Sequence, residues 1–122
     1  MAVLDGDYLV GKVVDVTYST ARILLLTDLN SKIPVDVLPN NIKSILSGTG
    51  QENGIIQYVK IENVIENQSK VFTSGAGGIF KPGIAIGEIY KKTGSLELNV
   101  NFYSDFSQLR FVKLASYKKE EN

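Results

Sequence analysis

From residue 96 to residue 102 apolar and polar side chains alternate without a break. Leu96, Leu98, Val100 and Phe102 are separated by Glu97, Asn99 and Asn101. A period of two places all four apolar groups on one face of an extended strand, and it scatters them around a helix. That alternation is the strongest constraint on the fold, because the rest of the chain offers no convincing amphipathic helix to oppose it. Residues 9–16 are β-branched and half alternating. Residues 22–27 form a continuous apolar run, as expected of a strand buried on both sides. Residues 33–38 carry Pro34 at the second position, tolerable at a strand start or edge. Residues 54–61 read as a mixed strand, with Ile55, Val59 and Ile61 on one face around Gln57. Residues 84–89 lead through Lys91-Lys92-Thr93-Gly94-Ser95, a hairpin turn, into the alternating strand. A last strand is expected over residues 110–117.

Two stretches could make a turn of helix. Residues 39–46 could do so with Asn40 as a cap before Gly48, and residues 104–109 could do so ahead of the last strand. Roughly nine short strands at this spacing predict an all-β barrel or sandwich. At 122 residues the chain fits one domain, or two very small ones sharing a core.

Composition removes whole classes of function. Lys plus Arg equals Asp plus Glu at 13 each, so the formal net charge is zero. A protein that grips nucleic acid by neutralising phosphates needs a basic excess, so nucleic acid is not an expected partner. Cysteine is absent, which excludes disulfides, zinc thiolates and Cys nucleophiles. Histidine is absent as well, which excludes a Ser-His-Asp triad and any imidazole base or metal ligand. Only Ser-Lys chemistry or a carboxylate pair is left for catalysis. The longest apolar run, Ile23-Leu24-Leu25-Leu26, is four residues, far from the ~20 that span a bilayer. The first residues turn polar at Asp5-Gly6-Asp7 and show no signal-peptide pattern.

The densest cluster of special residues is Thr73-Ser74-Gly75-Ala76-Gly77-Gly78-Ile79-Phe80-Lys81-Pro82-Gly83. As a phosphate cradle it fails on spacing. Gly78 is followed by Ile79 and not by the Gly-Lys-Ser/Thr of a P-loop, and a G-x-G-x-x-G frame begun at Gly75 reaches Phe80 where its last glycine belongs. As a nucleophile Ser74 lies in T-S-G and not in a G-x-S-x-G elbow, and only a lysine such as Lys70 or Lys81 could activate it. The plainer expectation is that Thr73 and Ser74 end a strand and satisfy the turn's backbone groups with their hydroxyls. Asp5-Gly6-Asp7 lacks the frame and closing Glu of a calcium loop, and Thr27-Asp28-Leu29-Asn30-Ser31 has the chemistry of an Asx turn. No metal or cofactor is expected, and the residues alone leave a β module that binds or spaces something.

Five stretches in order resemble the extracytoplasmic β core of the rod shape-determining protein MreC family. They are Leu9-Val10-Gly11-Lys12-Val13-Val14-Asp15-Val16, then Ala21-Arg22-Ile23-Leu24-Leu25-Leu26-Thr27-Asp28, then Ser31-Lys32-Ile33-Pro34-Val35, then Ile45-Leu46-Ser47-Gly48-Thr49-Gly50, and the glycine loop running on to Ile84-Ala85-Ile86-Gly87-Glu88-Ile89. Gln68-Ser69 stands where the family usually has Gly-Asp, and Lys81 stands where it has a proline.

The resemblance implies two small β-barrels, related to trypsin-like barrels but without an active site. The expected division is residues 1–47 plus 96–117 as barrel one, residues 48–95 as barrel two, and residues 118–122 as a tail. Met1-Ala2-Val3 is similar to an internal part of the family's first barrel. The resemblance therefore implies a fragment without the transmembrane helix, the coiled coil and an early strand, whose absence would leave an edge open to pairing. It implies a non-enzymatic scaffold of the cell-elongation complex, organising peptidoglycan synthesis at the periplasmic face of the inner membrane. Partners would be MreD, a penicillin-binding transpeptidase and the MreB complex, together with self-association, and the membrane anchor would belong to the full-length protein. The loop residues Thr73, Ser74, Gly75, Gly77, Gly78, Phe80, Pro82 and Gly83 carry the family signature, and Ile79 and Phe80 are the expected partner contacts. The competing readings are a small ligand-binding β-barrel and a degenerate serine hydrolase using Ser74.

Overall fold

A computed structural model describes residues 1–57, 65–109 and 112–115. Its strands are β1 (Ala2–Asp5), β2 (Tyr8–Val16), β3 (Ala21–Leu25), β4 (Lys32–Val37), β5 (Ile42–Gly48), β6 (Gly54–Gln57), β7 (Lys70–Thr73), β8 (Ala85–Lys91), β9 (Leu98–Phe102) and β10 (Lys113–Ala115). Short 3-10 turns at Ala76–Gly78 and Phe106–Gln108 are the only helical pieces among the described residues. The fold is all-β, as the alternation predicts.

The strands form one hydrogen-bonded sheet in the order β10-β1-β2-β8-β7-β4-β5-β6-β9, and β9 returns to pair with β8. That last pairing closes β4 to β9 into a six-stranded barrel, which leaves β10, β1, β2 and β3 as an outer sheet. The two parts are joined where Tyr8 of β2 runs parallel to Ala85 of β8. The hairpin expected at Lys91-Lys92-Thr93-Gly94-Ser95 joins β8 to β9, with Lys91 opposite Leu98. The expected boundary between residues 47 and 48 falls inside β5, whose partners are β4 on one side and β6 on the other.

Alternate residues fill the interior. Val35, Leu46, Val71, Ile86, Ile89 and Val100 come from five of the six barrel strands and are all buried. At about 1.5–3 kcal/mol for each large aliphatic side chain, this shared interior is the main stabilising contribution. Close strand contact is secured by Gly87, where a Cβ would collide with the Asn101 carbonyl on β9. Pro34 fits inside β4 because its backbone faces β7 just past the end of that strand. Its carbonyl accepts from the Ser74 amide at 3.3 Å, and the missing N–H falls where the ladder stops.

Three local expectations fail. Residues 42–46 are strand, not helix: β5 is paired on both edges, and Asn41 (φ 52°) turns the chain into it. Tertiary pairing outweighs a weak local helical tendency. Leu96 lies before β9 and is fully exposed, so the inner face starts at Leu98. Most consequentially, the run at residues 22–27 is not a strand buried on both sides. Among the described residues β3 pairs only with β2, and Ile23 is 39% exposed. Residues 58–61 of the expected strand 54–61, residues 110, 111, 116 and 117 of the last strand, and the tail at residues 118–122 lie outside the described residues.

Candidate functional site

The glycine loop leaves β7 at Thr73 and reaches β8 at Ala85. Thr73 is buried and closes the loop at its base. Its hydroxyl donates to the Lys81 carbonyl at 2.7 Å and accepts from the Ile84 amide at 2.9 Å. Its amide donates to the Ile84 carbonyl, and its carbonyl accepts from the Gly83 amide at 2.8 Å. Four polar contacts on one residue define both ends of the loop. The Ser74 hydroxyl accepts from the Ala76 amide at 3.2 Å, a turn of the Ser/Thr type. It has no lysine or carboxylate partner among the described residues.

The glycine spacing is dictated by backbone geometry. Gly75, Gly77, Gly78 and Gly83 all have positive φ. At Gly75 (φ 77°) a side chain is doubly excluded, because a Cβ there would come within 3.1 Å of the Pro82 ring. The loop therefore folds back on its own proline, with Gly78 donating to the Gly75 carbonyl at 3.1 Å.

This fold-back separates two neighbours in the chain. Phe80 is 2% exposed and belongs to the hydrophobic core, whereas Ile79 is 44% exposed. Of the two expected contacts, Ile79 is at the surface and Phe80 is the anchor beneath it. Between the loop and the outer sheet runs a groove of about 410 Å³, walled by Ile79, Phe80 and Ile84 on one side and by Ala2, Leu4 and Ala115 on the other. Lys81 and Asp7 stand at its rim as the charged members of its lining. The far wall is assembled from β1 and β10, at opposite ends of the chain, and no local sequence signal announces it.

A second feature without a sequence signal sits at the joint between barrel and outer sheet. Tyr8 packs on Tyr103 with ring centroids 5.1 Å apart, and the Tyr103 hydroxyl donates to Glu88 Oε1 at 3.0 Å. The Tyr103 phenol is pushed up to about 12, first by burial and then by the hydrogen bond to Glu88 and its charge. Both effects disfavour the phenolate and keep the clasp protonated. Among the described residues no group of three or more carboxylates is placed to hold a metal ion, and no helix is long and apolar enough to cross a membrane.

The model for the barrel core of the rod shape-determining protein MreC matches residues 1–116. The chain belongs to the MreC family. A cell shape-determining protein MreC from Caulobacter vibrioides is 33% identical over 95% of this chain and 33% of its own length. The chain spans about a third of the length of the curated MreC relatives it matches. The crystal structure of MreC from Pseudomonas aeruginosa superposes with a TM-score of 0.78 at 32% identity, covering 91% of this chain and 76% of that one. The likeness of fold extends to a complex between the penicillin-binding protein PBP2 and MreC from Helicobacter pylori. There the TM-score is 0.72 at 16% identity, over 88% of this chain and 69% of that one. The β core is thus a shared MreC architecture.

Proposed function

We propose that this β core acts as a non-enzymatic scaffold in the bacterial cell-elongation complex, on the periplasmic side of the inner membrane, and organises peptidoglycan synthesis through protein contacts. The partner proposed for the groove is a penicillin-binding transpeptidase, and MreD and the MreB complex are further proposed partners of the scaffold. Membership of the family supports the role, and the complex of the Helicobacter pylori relative with PBP2 supports the partner class. The single observation that carries the reading is the opposed placement of Ile79 and Phe80. A buried aromatic fixes the loop, and an exposed aliphatic lies at the mouth of an apolar groove. Exposed apolar surface of this kind is what a partner covers. The division of labour that goes with it is two lobes, the closed barrel of β4 to β9 and the outer sheet of β10, β1, β2 and β3, with the groove between them.

The Ser74 hydroxyl is engaged by the Ala76 amide, which supports a structural part for that residue. The test is capture of the extracytoplasmic part of the transpeptidase by the immobilised chain and by Ile79→Asp. The expected result is a loss of about tenfold or more in affinity with an unchanged melting temperature. Undiminished capture by Ile79→Asp, or no capture by the unaltered chain, would overturn the reading.

A further inference from the structure

The apolar run that the sequence pattern assigns to a strand buried on both sides is instead an open sheet edge. Among the described residues β3 pairs with β2 and with no other strand. Because the Leu26 amide donates to the Val10 carbonyl, the backbone groups of Leu24 and Leu26 face β2, and those of Ile23 and Leu25 face outward. The edge is closed at its far end. The Asp28 amide donates to the Leu25 carbonyl at 3.0 Å, and the Gly50 amide donates to the Thr27 carbonyl at 2.8 Å. The Ile23 N–H, the Ile23 C=O and the Leu25 N–H stay without a partner among the described residues. Beside them the side chains of Ile23, Leu25 and Leu29 (68% exposed) line a second groove of about 450 Å³. Natural edges are guarded by proline, lysine or inward-pointing charge, and β3 has none of these beyond the exposed Arg22.

We infer that the β3 edge takes an extended segment of a partner protein as an added parallel strand, with the pattern apolar–any–apolar–any–basic in its N-to-C direction. Only an extended chain uses both parts of this surface, since a helix or a lipid brings no ladder of N–H and C=O groups to the edge. Hydrogen bonding fixes the direction. In a parallel pair one incoming residue, opposite Leu24, donates its N–H to the Ile23 carbonyl and accepts at its C=O from the Leu25 N–H. The Ile23 N–H then donates to the carbonyl two residues earlier, so all three open groups are satisfied. An antiparallel strand would instead aim an N–H at the Leu25 carbonyl, which Asp28 already occupies. The residues on either side of the one opposite Leu24 lie over Ile23 and Leu25, on the groove face, and these are the two apolar positions. The inference does not depend on the transpeptidase reading, which concerns the groove beside the glycine loop.

Charge sets the fifth position. The charged member of the groove lining is Asp28, which is exposed. Its Oδ1 accepts from the Asn30 amide at 2.8 Å, and its other oxygen has no hydrogen bond or salt bridge among the described residues. Asp28 follows the C-terminal end of β3, so a parallel strand comes to it with the residue opposite Thr27, two beyond the one over Leu25. A lysine or arginine there meets a carboxylate, and an acidic residue is repelled. At the other end Arg22 stands opposite Asp15 in the β2 ladder, so that end is balanced and adds no preference.

The probe is a fluorescent peptide, Ser-Thr-Val-Thr-Val-Thr-Lys-Ser with blocked ends, compared with its exact reversal. Each is titrated against the whole chain by anisotropy, with amide exchange as a second readout. The forward peptide is expected to bind with a Kd below about 1 mM, and the reversed one about tenfold or more weaker. At saturation the Ile23 and Leu25 amides slow by about fivefold or more, while the Leu24 and Leu26 amides, already bonded to β2, do not change. Ile23→Pro deletes the outward N–H and spares the ladder to β2, and it weakens binding by about tenfold or more. Ile23→Lys keeps the backbone and sets a cation in the apolar groove, with a loss of similar size. Asp28→Asn keeps the acceptor for the Asn30 amide, removes the charge and weakens binding about threefold. Circular dichroism verifies that each variant is folded. The proposal would be overturned by no binding of the forward peptide up to about 1 mM, by a reversed peptide that binds as well, or by binding indifferent to the Ile23 variants or to Asp28→Asn. An Ile23 amide that slows with protein concentration alone, the mark of a second copy on the edge, would overturn it too.

Discussion

Ile79 and Phe80 are consecutive in the chain and face opposite environments, the first at the mouth of a groove and the second in the core. The glycines on either side make this possible, since the chain turns through positive φ at Gly75, Gly77, Gly78 and Gly83. A loop that looks like a catalytic or phosphate motif in sequence is, in three dimensions, a hydrogen-bonded turn that holds Phe80 in the core and leaves Ile79 at the surface.

Phe80→Ala should destabilise the protein by about 3–5 kcal/mol, the cost of removing a buried aromatic and leaving its cavity. For a domain of this size, that lowers the melting temperature by roughly 10–20 °C. Ile79→Ala, at the surface, should shift it by little. Calorimetry on the two variants gives the comparison, and equal shifts would contradict the assignment of one residue to the core and the other to the surface.

Thr73→Val keeps the shape of a buried side chain and deletes its hydroxyl. The Lys81 carbonyl and the Ile84 amide each lose their partner. We expect a loss of about 2 kcal/mol in urea denaturation. Faster amide exchange at Ile84 than at Val71, which lies inside the β7 ladder, would localise the effect.

The Tyr103–Glu88 clasp has a pH signature. The Tyr103 phenol is held near 12 in the folded protein against about 10 in the unfolded chain, so over that interval the folded state holds the proton and the unfolded state has lost it. Its contribution to stability is therefore complete below pH 10 and declines as the pH rises toward about 12. Tyr103→Phe removes the titration and should flatten that part of the stability curve. An identical alkaline decline in the variant would contradict the clasp.

The parts of the fold that the sequence disclosed are those set by neighbours along the chain. Alternation through Leu98, Val100 and Phe102 marked β9, the glycine in Lys91-Lys92-Thr93-Gly94-Ser95 marked its hairpin, and the Asp105 carboxylate caps the 3-10 turn expected there by accepting from the Ser107 amide. What stayed hidden was set by distant segments. Ile42 to Leu46 fits a helical turn until β4 and β6 supply ladders on both sides. The run at Ile23 to Leu26 looks interior because its composition is apolar, but burial depends on which strands lie beyond it. At the candidate site the glycine spacing was legible as a turn. The wall formed by Leu4 and Ala115 was not, since it exists only once β1 and β10 pair.

The central claim is that the loop presents Ile79 and its groove to a transpeptidase. Amide hydrogen exchange over residues 76–85, with and without the extracytoplasmic part of that partner, tests it directly. The account predicts exchange slowed about tenfold or more at Ile79, Phe80 and Gly83 on binding, with the amides of β6 unchanged. Binding of the partner with exchange unaltered across residues 76–85 would contradict it.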